Sequence, residues 1–135
     1  ASLNNIKLVI AFVDINNLKY VNDKYGHGEG DNLIKSVVNV IQSIARSSDF
    51  IFRYGGDEFI LCIYNADLEA ASKMKFRIDN AFRKFNENFQ KDYEVSASFG
   101  FAEYNYNAGI SVEELIKLAD DNMYIDKEKH KKNRK

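Results

Sequence analysis

Phe50-Ile51-Phe52-Arg53-Tyr54-Gly55-Gly56-Asp57-Glu58-Phe59-Ile60-Leu61-Cys62-Ile63-Tyr64 decides the fold. Two runs rich in aromatic and β-branched residues flank a glycine pair, and such residues suit a pleated, half-buried backbone. Adjacent glycines accept φ > 0 without Cβ strain, so the pattern predicts a hairpin of two antiparallel strands, 50–54 and 59–64. Asp57 and Glu58 then stand at the hairpin itself. Cys62, the only cysteine, reads as a small buried strand residue and excludes an internal disulfide.

Upstream, Leu8-Val9-Ile10-Ala11-Phe12-Val13 is continuously apolar. A strand with no polar alternation is buried on both faces and therefore central in its sheet. Residues 16–25 read as a helical turn or two, broken by Gly26, Gly28 and Gly30. Asp31 is expected to open a helix whose apolar face is Leu33, Ile34, Val37, Val38, Ile41, Ile44 and Ala45. Downstream, Ala71, Met74, Ile78, Ala81, Phe82, Phe85 and Phe89 mark one face of a long helix from about residue 68 to 89. Residues 93–101 read as another strand. Ser111 with Glu114 forms a capping box, which starts a last helix with Val112, Leu115, Ile116, Ala119 and Met123 inward. The order β-α-α-β-β-α-β-α implies an α+β domain with a mainly antiparallel sheet.

The chain has 135 residues, 45% hydrophobic and 29% charged, which fits one globular domain with a real core. A net charge of -1 gives no general attraction to nucleic acid or to an anionic membrane. No apolar run approaches the ~20 residues that span a bilayer, and no signal peptide is visible. Cysteine usage fits a reducing compartment, with the cytoplasm as the expectation. A start almost directly at a buried strand and a short basic end suggest a piece cut from a longer protein.

Asp14 follows the central strand directly. If the hairpin lies beside that strand, Asp14 and Asp57 converge, and a divalent cation resolves the repulsion between two carboxylates. Magnesium prefers oxygen ligands and completes its shell with substrate phosphates, which points to phosphoryl or nucleotidyl transfer. A strand-ending turn at Asp14 and a polar hairpin tip at Asp57-Glu58 explain the same residues without function. Successive strand residues point to opposite faces, so Asp57 and Glu58 are not expected to face one metal together.

Five segments in order resemble the GGDEF family: Arg53-Tyr54-Gly55-Gly56-Asp57-Glu58-Phe59, residues 14–23 (DINNLKYVND), Gly26-His27-Gly28-Glu29-Gly30-Asp31, residues 95–100 (VSASFG), and residues 119–124 (ADDNMY) with Lys127. The resemblance implies a palm-like fold, related to the ferredoxin-like fold and shared with other nucleotide cyclases and polymerases. It implies a diguanylate cyclase, in which two copies of the domain each hold one GTP and condense the pair into cyclic di-GMP and pyrophosphate. The alternative within the family is a non-catalytic module that binds GTP or cyclic di-GMP.

The same resemblance assigns roles. Asp14, the carbonyl of Ile15, and Asp57 would hold Mg²⁺ (or Mn²⁺), two ions per GTP. Asp57 would also take the proton of the attacking hydroxyl, and Glu58 belongs to the signature. Asn16, Asn17 and Leu18 would offer backbone N–H groups to phosphates, with Lys127 and Lys131 on the terminal phosphates. Asn22 and Asp31 would read guanine, whose N1–H and N2–H suit a carboxylate. Without the resemblance, Asn22 reads as an Asx turn and Asp31 as a helix-start charge. Arg46 and Asp49, with Arg77, match the family's product-inhibition site, although Arg46 and Asp49 also read as an i,i+3 ion pair. The family usually has aspartate at Asn16, phenylalanine at Leu18, and glycine and arginine at His130 and Lys131. Its N-terminal D-x-L-T segment has no counterpart here.

Overall fold

The computed structural model describes residues 7–89 and 91–133. Strand β1 (Leu8–Ile15) leads into helices α1 (Leu18–Tyr25) and α2 (His27–Ile44). Strands β2 (Phe50–Arg53) and β3 (Glu58–Tyr64) form the hairpin. Helix α3 (Leu68–Asn88), strand β4 (Ala97–Glu103), a 3₁₀ turn (Tyr106–Ala108) and helix α4 (Val112–Asn133) follow. The sheet runs β2-β3-β1-β4 with every neighbouring pair antiparallel. The predicted order, the α+β class and the central position of β1 are all present.

Strand alternation splits the core in two. Val9, Ala11, Val13 and Ile15 of β1 join Phe59, Leu61 and Ile63 of β3 beneath the apolar faces of α2 and α3. Ile10 and Phe12 join Ile60 and Cys62 on the other face, beneath Leu115, Ala119 and Met123 of α4. Each such side chain contributes roughly 1.5–3 kcal/mol when fully buried. Continuing the alternation puts Asp14 on the α4 face, directly across from Glu58. Gly100 lets α4 lie against the sheet, since a Cβ there would fall 1.9 Å from the Met123 nitrogen and 2.1 Å from the Ala119 oxygen. Asn122 Nδ2 then donates to the Phe101 carbonyl at 2.8 Å, and Phe99 N–H donates to Asp126 Oδ2 at 2.8 Å. These two bonds give β4, an edge strand, partners for its outward backbone groups.

Four expectations need correction. Neither Gly55 nor Gly56 takes a positive φ. The hairpin closes instead through Tyr54 and Gly55 N–H groups on the Glu58 carbonyl, at 2.8 and 3.1 Å. Helix α2 starts at His27, not Asp31: Gly26 alone breaks the chain, at φ 93°, while Gly28 and Gly30 are helical. Strand β4 starts at Ala97, not Tyr93, because the Asn86 side chain takes both backbone groups of Val95, at 2.8 and 2.9 Å. Tyr93 and Val95 are nonetheless buried, which is why that stretch reads as strand. Val112 is exposed rather than inward. The capping box at Ser111 and Glu114 forms as expected, with both reciprocal bonds at 3.1 Å.

Candidate active site

The end of β1 is fixed from both sides. Ile15 N–H donates to the Asp57 carbonyl at 2.9 Å, and Asn16 N–H donates to the Ser96 carbonyl at 3.1 Å. Asn17 then turns the chain at φ 68°, a left-handed conformation that asparagine tolerates better than most residues. The buried Asn16 side chain donates to Ser96 Oγ at 2.9 Å and accepts from Ser98 Oγ at 2.8 Å. Asn16 therefore ties β1 to β4, and its N–H is already committed, contrary to the expectation that it faces phosphate. The open donors belong to the first turn of α1, where Leu18, Lys19 and Tyr20 have no intrahelical acceptor.

Asp14 is 5% exposed. Its Oδ2 accepts from Lys127 Nζ at 2.8 Å, whereas Oδ1 is buried with no hydrogen-bond partner. Burial pushes its carboxyl up to about 6; the nearby Asp57 adds to the rise, and Lys127 opposes it. For Lys127, burial acts against the ammonium, but Asp14, Asp57 and Tyr124 together outweigh it and the pKa rises. The two shifts are consistent, because one attractive contact is shared while Asp14 alone carries the heavier burial and a like-charged neighbour. Glu58 is also raised, first by burial and then by Asp57 and Asp120. Asp57 precedes β3, so strand alternation does not separate it from Glu58. Asp57 adds its like charge to both Asp14 and Glu58.

A divalent cation fits this corner. Asp14 offers a lone oxygen in a buried place, beside a second carboxylate that already repels it. Among the described residues no group of three or more His, Cys, Asp or Glu is arranged to hold a metal. Two carboxylates are what magnesium takes when substrate phosphates supply further oxygens.

A cleft of about 950 Å³ opens beside this corner, lined by Asn16, Asn17, Tyr20, Ser96, Lys127 and Lys131 among others. The phosphate candidates thus come together, apart from Leu18, which is buried at the α1 start. Asn22 and Asp31 do not line the cleft. Asn22 packs against Gly30, the residue before Asp31, because Gly30 has no Cβ; one there would fall 1.7 Å from Asn22 Oδ1.

Arg46 and Asp49 form the predicted i,i+3 pair at 3.1 Å, with the Asp49 side chain fully buried. Arg46 N–H donates to Oδ2 at 2.9 Å, Arg46 Nε to Oδ2 at 3.2 Å, and Tyr64 N–H to Oδ1 at 3.3 Å. Arg46 also donates to the Tyr64 carbonyl. Arg77 is exposed on α3 and is not among the residues lining the shallow cleft at Arg46 and Asp49.

Sequence reasoning missed three supporting contacts. Asp126 takes Phe99 N–H and lies 3.5 Å from Lys75, joining α3, β4 and α4. Asn86 clamps Val95. Glu29 accepts from Tyr93 Oη at 2.7 Å, fixing the start of α2 to the cleft wall. Burial and the Glu29 carboxylate together raise the Tyr93 pKa. An edge strand's need for outward partners was the one signal that pointed to Asp126.

The family model described as "Diguanylate cyclase, GGDEF domain" matches residues 1–133. The chain is 34% identical over 124 residues to the diguanylate cyclase DosC of Escherichia coli K12, covering 89% of this chain and 26% of that protein. It therefore spans about a quarter of that relative's length. It is similar to the solved GGDEF domain of DgcB from Caulobacter crescentus in complex with c-di-GMP, at 28% identity and TM-score 0.76, covering 91% of this chain and 73% of that one. It is also similar to the diguanylate cyclase SiaD of Pseudomonas aeruginosa, solved with its activator SiaC, at 27% identity and TM-score 0.79, covering 91% and 47%.

Proposed function

The chain belongs to the GGDEF family, and from that premise we propose that it is the catalytic domain of a diguanylate cyclase. The observation that carries the reading is Asp14: a buried carboxylate with one unpartnered oxygen, beside Asp57 and bonded to Lys127, which itself lines the cleft. A structural aspartate at a strand end has no reason to leave an oxygen dry and unpaired.

Asp14, Asp57 and the Ile15 carbonyl would hold a divalent metal, which when bound would supply positive charge against the reacting phosphates. The first-turn N–H groups of α1, with Lys127 and Lys131, orient the triphosphate. Asn22 and Asp31 select guanine. Two copies face each other, each holding one GTP. The 3'-hydroxyl oxygen of one GTP bonds to the α-phosphorus of the other; the hydroxyl proton passes to Asp57, and the bond to pyrophosphate breaks. A second round on the linear intermediate closes the ring. The intact Asp14 and Asp57 favour this over a module that only binds nucleotide. Cyclic di-GMP that accumulates binds at Arg46, which Asp49 holds in place, and at Arg77, and keeps two domains apart.

The test is incubation of the chain with GTP and magnesium, with products separated by chromatography. Cyclic di-GMP formation that stops on chelation is the expected result. GTP binding without turnover at any protein concentration would assign the chain to the binding-module class.

A further inference from the structure

Lys127 and Asp14 meet where the reading above needs both of them for other partners. Asp14 is expected to bind a cation, and Lys127 to bind phosphate. In the structure they bind each other at 2.8 Å. The pair is unequal: the Asp14 side chain is 7% exposed, while the Lys127 side chain is 30% exposed. Lys127 also lines the cleft that Asn16 and Asn17 border. The ammonium can therefore swing into the cleft, whereas the carboxylate cannot leave.

We propose that Lys127 is a placeholder cation: it neutralises Asp14 until a divalent ion takes its place and frees it for the phosphates in the cleft. The inference rests on the metal reading of Asp14 and adds a coupling that reading does not contain. A buried carboxylate beside a second carboxylate requires a positive neighbour. Only one cation fits there at a time, because Lys127 and a divalent ion repel each other. Metal and phosphate then act on one exchange. The metal displaces Lys127 from Asp14, and phosphate holds Lys127 away, so each favours the other's binding.

The experiment is Mn²⁺ titration followed by electron paramagnetic resonance, without nucleotide. Lys127→Gln keeps a hydrogen-bond donor near Asp14 and removes the charge. Lys131→Gln, one helical turn further along α4, removes the same charge without touching Asp14. The proposal expects Lys127→Gln to bind Mn²⁺ tenfold or more tightly than the parent, and Lys131→Gln to change affinity less than threefold. Equal gains in both variants would reduce the effect to the general field and overturn the proposal. Unchanged or weaker binding in Lys127→Gln would overturn it too. If that variant folds poorly, its melting temperature with and without Mn²⁺ gives the same answer, since metal must rescue it more than it raises the parent. Asp14→Asn separates the two levels: Mn²⁺ binding that survives this change would sink the metal reading and the exchange with it, whereas binding lost in Asp14→Asn but unchanged in Lys127→Gln would sink the exchange alone.

Discussion

Two buried aspartates, each paired with a basic residue, stand at opposite ends of the hairpin. Asp49 at the end of α2 has both oxygens filled, by three donors of Arg46 and the Tyr64 N–H. Asp14 at the end of β1 has one oxygen on Lys127 and the other on nothing. The first is finished by its own chain, pinning the α2–β2 turn to the end of β3. The second lacks a partner that the chain does not supply. A charged group with every lone pair satisfied contributes to the fold, while one left incomplete in a protected place is open to a ligand. Identity and burial alone do not distinguish them, since both are aspartates that solvent scarcely reaches.

The largest expected effect falls on the incomplete corner. Asp57→Ala should lower cyclic di-GMP formation by ~10³-fold or more, because it removes a metal-facing carboxylate and the proton acceptor together. The melting temperature should stay near the parent's, since Asp57 is a turn residue that packs little. A chromatographic assay at saturating GTP and magnesium reads the first quantity and circular dichroism the second. Turnover within tenfold of the parent would remove Asp57 from the site.

The completed corner should answer in stability instead. Asp49→Ala strands the Tyr64 N–H and frees Arg46 from the turn, a loss of about 3 kcal/mol for a buried, multiply bonded carboxylate. Urea denaturation measures it. A loss under about 1 kcal/mol would mean that the turn is held by its packing, and the contrast between the two aspartates would fail on this side.

The same contrast can be read from pH. Burial and Asp57 raise the Asp14 carboxyl in the folded protein from 3.8 to about 6. Its charged form is therefore disfavoured by folding, so metal-free stability falls as pH rises from near 4 to near 6 and then stays level. Asp14→Asn removes the carboxylate but also leaves Lys127 unpaired, for a net gain of about 2 kcal/mol at pH 8. The gain should vanish near pH 4, where the parent's Asp14 is protonated in both states. Thermal melts in chelator across that range test it. Asp14→Asn less stable than the parent at pH 8 would show that the Lys127 pair outweighs burial. Added magnesium should reverse the ranking by stabilising the parent alone.

Much of this arrangement was legible in the sequence, and the misses share a cause. The unbroken apolar run 8–13 placed β1 at the centre, and the two strands around Gly55-Gly56 placed Asp57 next to it. Local patterns carry such information because strand periodicity and turn residues are set by neighbours in the chain. The start of β4 differs from the expectation because Asn86, at the end of the preceding helix, takes the backbone bonds of Val95. Asn16 was assigned to phosphate, yet its groups are spent on Ser96 and Ser98 across the sheet. Gly55 was explained by backbone freedom, although it takes no positive φ; a Cβ there would meet Glu58 Oε1 at 2.5 Å. Each miss depends on one specific side-chain contact, near in the chain at Gly55 and Asn86 and distant at Asn16, which composition and spacing do not encode.

The smallest expected effect asks whether the completed corner has a second use. Arg46 has a side chain 46% exposed, while that of Asp49 is 0% exposed. Only the arginine can reach a ligand without unfolding the turn. Its guanidinium already serves Asp49 and the Tyr64 carbonyl, so guanine O6 and N7 must compete with internal acceptors for its N–H groups. That competition lowers the yield of the contact. Arg46→Ala should weaken cyclic di-GMP binding about tenfold, or about 1.4 kcal/mol, rather than abolish it. Arg77→Ala, on an exposed face of α3, should weaken binding by a comparable factor without loss of stability. Calorimetry with cyclic di-GMP on parent and variants, each first checked for folding, reads both. If Arg46→Ala binds as tightly as the parent, both aspartate corners keep a single role: one holds the fold, and the other holds the ligand.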